Sequence, residues 1–277
     1  MNQDYITPNS WSIIEEGFDK EKVKSSESLF SIGNGAMGQR ANYEETYSGP
    51  TFQGSYVGGV YYPDKTRVGW WKNGYPEYFA KVLNAPNWIG INVTINNEVL
   101  DLNTCKSISN YKRELNMKEG WYQRSFVAIL ANDTKVEVIA TRFLSLDLNE
   151  VGAIKYQIKP LDTDAVIVFE PYLDSGITNE DSNWDDKFWN TTAITSEETQ
   201  AFIEAHTMKT NFATCTFMQS QLALNGVYSL LLGADIYRDG IWTTLNDVTS
   251  FTLKGGGSAN GSGDRSGVDN EWNTFSW

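Results

Sequence analysis

An all-β fold, a large antiparallel sandwich or barrel with little helix, is what this sequence predicts. Three observations lead there. Short apolar-alternating segments recur about every ten residues between turn signals. Aromatic residues reach 13%, with 10 Trp, 14 Tyr and 13 Phe, the residue types that pack well on pleated surfaces. Helical periodicity is scarce: only Glu15–Lys24 and Ser196–Ala205 suggest helix.

The first patterned segment is Glu27-Ser-Leu-Phe-Ser-Ile-Gly-Asn-Gly-Ala-Met-Gly-Gln-Arg40. Gly33, Gly35 and Gly38 follow an apolar run and predict a strand ending in a tightly folded loop. By letter they also spell GxGxxG. That dinucleotide fingerprint needs a helix directly after the glycines and a βαβ series beyond, and the sequence offers neither. From Tyr43 to Trp88, aromatics alternate with Pro and Asn-Gly punctuation, predicting a long loop-rich stretch.

Clean β pattern begins at Ile89. Ile89, Ile91, Val93 and Ile95 alternate with small or polar residues, and Asn96-Asn97 turns the chain into Glu98–Leu102 as a hairpin. Further strands are predicted at Trp121–Leu130, Lys135–Leu146, Val151–Ile158, Ala165–Phe169 and Ala213–Leu222. Asn132-Asp133 and Asp147-Leu-Asn149 are the intervening turns. The Gly/Ser-rich run Lys254–Gly263 reads as flexible, so residues 1–250 form the expected domain and 251–277 an unassigned tail.

Charge and composition narrow the function. A net charge of −13 opposes binding to phosphate backbones, so nucleic acid is not an expected partner. No apolar stretch approaches the ~20 residues that span a bilayer, and the N-terminus lacks the pattern of a secretory signal; a cytoplasmic protein is expected. Cys105 and Cys215 stand outside any CxxC pair and His206 is the single histidine, so no metal site is expected. The cysteines read as buried free thiols. No GxSxG is present. Glu44-Glu45 and Asp185-Asp186 are adjacent pairs, which on a strand would face opposite sides and could not flank one bond. No catalytic residue is assigned in this chain. For sugar contact the candidates are the loop aromatics Trp70, Trp71, Tyr75 and Trp88, with Tyr78 nearby.

The glycine segment, Tyr43-Glu-Glu45, Gly54-Ser-Tyr-Val-Gly-Gly-Val-Tyr61, Asn84-Ala-Pro-Asn-Trp88, Glu114–Arg124 and Arg142 with Phe-Leu-Ser-Leu146 together resemble glycoside hydrolase family 65. These are the inverting phosphorylases of maltose, trehalose or kojibiose, and the likeness runs from about Trp11 to Leu222. The resemblance implies an N-terminal β-sandwich of the supersandwich type, beside a catalytic (α/α)6 barrel whose motifs have no counterpart in this sequence. It implies docking to that barrel and a homodimer. It also implies no organic cofactor or metal, with inorganic phosphate as co-substrate and a disaccharide as substrate of the whole enzyme. Glu27, Asn34, Arg40, Glu44 and Glu45 are then expected to form a buried or interdomain polar network. A stand-alone carbohydrate-binding module using the loop aromatics is the alternative.

Overall fold

The computed structural model describes residues 5–66, 73–180, 187–197 and 200–224, with the short segments 227–229, 235–238, 241–244, 250–253 and 268–276. Antiparallel strands dominate. The larger sheet runs Ile6–Pro8, Ser12–Glu16, Ser107–Asn116, Trp121–Ile129, Lys135–Leu144, Val151–Pro160, Val268–Ser276, Ala213–Gln219, Gln200–Thr207 and Trp189–Glu197 in spatial order. The second sheet is centred on Ala165–Asp174, which pairs with Asn87–Ile95 on one side.

The predicted alternation closes the core between these sheets. Ile89, Ile91, Val93, Ile95, Ile167 and Phe169 of the second sheet pack with Phe126, Ala128, Val136, Val138, Ala140, Ile154 and Ile158 of the larger one. The all-β sandwich is therefore the observed fold. The hairpin at Asn96-Asn97 forms as expected: both residues take positive φ, 50° and 65°, as a two-residue turn requires.

Four expectations change. The segment predicted as helix over Glu15–Lys24 splits. Ser12–Glu16 is a strand, Lys20–Lys22 a 3-10 turn, and the helix is Val23–Leu29. Ser196–Ala205 is not helical: Trp189–Glu197 and Gln200–Thr207 pair antiparallel, with Ala201, Ile203 and Ala205 buried in strict alternation. The Tyr43–Trp88 stretch is less irregular than expected, since Ser55–Val57 joins a three-stranded sheet and Tyr61–Lys65 pairs with Tyr78–Val82. Finally, Val268–Ser276 is a strand lying between Val151–Pro160 and Ala213–Gln219, where the sequence shows no period. The Lys254–Gly263 run falls outside the described residues.

The glycine segment is a hairpin. Ile32–Gly33 pairs with Met37–Gln39, and Gly35 takes φ +92° in the turn. No helix follows, so the GxGxxG letters serve a β-turn.

Candidate functional site

Three arginines occupy core-facing positions of neighbouring strands. In Lys135–Leu144 the buried side is Val136, Val138, Ala140, Arg142 and Leu144. In Trp121–Ile129, Arg124 shares the inward face with Tyr122 and Phe126. Arg113 does the same beside Tyr111, and it lies directly opposite Arg124 on one side and Glu15 on the other. Like charges facing each other across a ladder are destabilising unless compensated. The compensation comes from a different part of the chain.

The 41–54 loop brings Glu44 and Glu45 onto the guanidiniums of Arg124 and Arg142, while Arg113 Nε stands 3.7 Å from the Glu15 carboxylate. Arg124 donates to Glu45 through Nη1 at 2.6 Å and Nη2 at 2.5 Å, and its Nη2 also donates to Glu44 Oε2 at 2.6 Å. Arg142 Nη1 stands 3.2 Å from Glu44 Oε1, close enough for an ion pair but not aligned as a hydrogen bond. Its Nη2 donates instead to the carbonyls of Arg40 and Asn42 at 3.1 and 2.8 Å. The Glu44-Glu45 expectation is thereby corrected. The pair lies in a bend, not a strand, so both carboxylates reach one arginine. Burial alone would raise the Glu44 carboxyl, but Arg142 and Arg124 outweigh it and hold it below the ordinary range. Tyr43 lies against two of the cations, its ring centre 4.7 Å from the Arg124 guanidinium carbon and 5.0 Å from that of Arg113.

Glu27 works from the helix Val23–Leu29. Its carboxylate accepts from the Thr51 hydroxyl and from the Phe52 amide at 2.8 Å, and lies 4.0 Å from Arg40. Burial is the largest influence on this carboxyl and raises its pKa. Arg40 in turn donates to the carbonyls of Phe52 and Lys24. Glu27, Arg40, Glu44 and Glu45 thus clamp the 41–54 loop onto the sheet. Asn34 belongs to a different contact. Its Oδ1 accepts from the amides of Ala36 and Met37, and its Nδ2 donates to the carbonyls of Ser145 and Asn149. It stitches the glycine hairpin to the 145–150 turn.

The sugar-contact candidates separate. Trp70 and Trp71 lie outside the described residues. Tyr75 is 62% exposed, and Tyr78 and Phe79 are also exposed on the neighbouring strand. Trp88 is corrected: it is the second residue of the strand Asn87–Ile95, is 1% exposed, and lies over Gly152 in the core. A cleft of about 390 Å³ opens beside the hairpin, lined by Arg40, Phe52, Tyr56, Phe79, Lys81 and Asn84 among others. Among the described residues no three His, Cys, Asp or Glu side chains group as a metal site, and no helix is long and apolar enough to cross a membrane. Cys105 and Cys215 are free thiols, partly rather than fully buried.

Arg113, Arg124 and Arg142 were not among the expected site residues. Their signal is legible afterwards: each stands in phase with the buried apolar residues of its strand, where an arginine has no reason to be unless a partner meets it.

This clamp, the glycine hairpin and the sandwich around them match the profile described as "Glycosyl hydrolase family 65, N-terminal domain" over residues 13–252. The chain belongs to glycoside hydrolase family 65. The family match extends past Leu222, where the sequence motifs end. Maltose phosphorylase of Bacillus subtilis (strain 168) is 45% identical over 217 residues, which cover 78% of this chain and 28% of that protein. Alpha,alpha-trehalose phosphorylase of Thermoanaerobacter brockii is 28% identical over 262 residues, covering 88% of this chain and 33% of its own. A solved structure described as a kojibiose phosphorylase from the human microbiome superposes with a TM-score of 0.74 at 25% identity, covering 98% of this chain and 33% of that one. The chain thus spans a third or less of the length of these relatives.

Proposed function

We propose that this chain serves as the accessory β-sandwich of an inverting, cytoplasmic α-glucoside phosphorylase of the maltose type. It docks against a catalytic (α/α)6 barrel and a second subunit, and contributes no catalytic residue. On this reading the sandwich domain spans about residues 1–250. Neither organic cofactor nor metal is needed, and inorganic phosphate is the co-substrate of the whole enzyme. The observation that carries the reading is the 45% identity to a maltose phosphorylase over a stretch making up only 28% of it.

The chemistry of the clamp supports it. A glycosidic general acid must hold a proton near neutral pH and reach the substrate. Glu44 and Glu45 have fully buried side chains gripped by Arg124, and Glu44 is held toward its ionised form. Glu27 is equally sealed from solvent and its oxygens are committed to Thr51 and Phe52. These carboxylates are suited to fixing a loop.

The test is phosphate-dependent glucose release from maltose, trehalose and kojibiose. The purified chain alone is expected to release none. Adding the remainder of the Bacillus subtilis relative as a separate chain is expected to give activity above that of the remainder alone. Turnover by this chain alone, lost without phosphate, would overturn the reading. The second reading, a carbohydrate-binding module using Trp70, Trp71 and Tyr75, is favoured by the exposure of Tyr75 and Tyr78 beside the cleft.

A further inference from the structure

We propose that a second cleft, between the 42–53 loop and the strands Asn87–Ile95 and Ala165–Asp174, binds one pyranose ring of a neutral sugar. The cleft holds about 330 Å³, within the range of small-molecule pockets, roughly 300–1,000 Å³. Its lining includes Tyr47, Gln53, Asn87, Asn92, Tyr172 and Asp174. The proposal does not depend on docking to a barrel.

Three observations point to a ligand. The Tyr47 hydroxyl and the Gln53 side-chain nitrogen are buried without a hydrogen-bond partner. Such orphan groups are rare in a folded protein and ask for a partner. Asp174 accepts from the Gly176 amide at 2.7 Å, and no cation faces it among the described residues. Burial pushes its carboxyl up to about 6, the mark of a carboxylate short of solvation. No Lys, Arg or His lines the cleft, while two carboxylates do, Glu45 and Asp174.

That inventory selects among ligands. Glu45 is already held by Arg124, so an anion such as a sugar phosphate would meet the Asp174 carboxylate with no cation in the lining to pair with. A neutral polyol fits: Asp174 accepts from one hydroxyl, Gln53 donates to the next, and Tyr47 does either. Tyr43, Tyr47 and Tyr172 give the wall apolar carbon beside its polar groups, the mixed character of sugar sites. Amides and aromatics also distinguish the site from a cation cage, which would be built mainly from carboxylates and carbonyls.

The experiment is thermal unfolding of the purified chain with glucose or maltose, against sorbitol at equal concentration to remove bulk osmolyte stabilisation. Glucose or maltose is expected to raise the midpoint beyond sorbitol. Asp174→Asn is expected to weaken binding about tenfold or more, from loss of a hydrogen bond to a charged group. Its midpoint without sugar should equal or exceed the parent's, which a purely structural aspartate would not show. Tyr47→Phe, a second and milder variant, should weaken binding several-fold. The double variant Trp70→Ala, Trp71→Ala should bind as the parent does. A parent without a sugar-specific shift overturns the proposal, as does an unchanged shift in both Asp174→Asn and Tyr47→Phe. Loss of the shift only in the tryptophan variant would move the site to those loops. A shift with calcium chloride in place of sugar would make the cleft a cation site.

Discussion

Arg124 has been taken out of water into a shell of Tyr43, Phe126, Glu44 and Glu45, and its side chain has no measurable exposure. A buried ion pair of this kind adds little compared with an apolar replacement, but removing one partner strands the other charges. Arg124→Ala is therefore expected to cost about 3–5 kcal/mol in denaturant unfolding. A change under about 1 kcal/mol would show that the cluster is solvated in a way the geometry does not suggest. The pH dependence has a definite sign. Glu44 has a folded pKa below its ordinary 4.5, so its contribution is present above about pH 4.5 and is lost as pH falls through the lower, folded value. Glu44→Gln should flatten that acid limb while lowering stability at neutral pH. Little of this was legible beforehand. The sequence flagged Glu44 and Glu45 by likeness to a motif, but their partner stands about 80 residues away, and local spacing carries no record of it. Assuming a strand at Glu44-Glu45 gave opposite faces, whereas the bend gives a shared one.

Elements were easier to read where one face is mainly apolar. Trp121–Ile129 and Lys135–Leu144 match their sequence pattern closely because burial mainly on one side enforces period two, and Asn87–Ile95 follows it from Ile91 onward, beyond a start buried on both faces. Ser107–Asn116 was missed for a physical reason. It is polar, and a register shift between Ser109 and Lys112, with Asn110 at φ +53°, breaks the alternation. The Ser196–Ala205 segment misled in the other direction, because Ser-Glu-Glu has the look of a helix start while Ala201, Ile203 and Ala205 carry a weak two-residue period. Sheet packing also explains Trp88. A Cβ added at Gly152 would lie 2.6 Å from the Trp88 ring and 3.0 Å from Leu144 Cδ2. Gly152→Ala should then destabilise by about 1–3 kcal/mol through overpacking. The same change made on a Trp88→Leu background should cost clearly less than on the parent, because the two sites are in contact. Equal costs in both backgrounds, read from paired denaturation curves, would mean that the indole does not press on Gly152.

At the scale of the molecule, three turns meet at one end of the larger sheet. Register places Ser12 beside Asn116, Asn116 beside Trp121, Trp121 beside Phe143, and Leu144 beside Gly152. The turns that cap this end therefore carry Trp11, Met117, Leu146 and Leu148 together, exposed by 60, 53, 79 and 58%. The Met117 amide donates to the Trp11 carbonyl at 2.8 Å, so two of the turns are directly joined. Scattered surface apolars need no explanation, but four on turns at the same end of one sheet, in a chain with net charge −13, single out that end as a surface to test. Long-range repulsion keeps such an acidic molecule dispersed unless an apolar surface brings copies together. If the docking surface of the proposed accessory role lies here, the isolated chain should self-associate as its concentration rises in sedimentation velocity. Leu146→Ser with Leu148→Ser should return it to a monomer without lowering its unfolding midpoint, because both side chains are in solvent. Added salt separates the causes: screening of the −13 charge should strengthen association of the parent chain and leave the double variant monomeric. A parent chain that stays monomeric at high salt would place the docking surface elsewhere, with the exposed Tyr75, Tyr78 and Val82 of the aromatic hairpin as the next surface to alter.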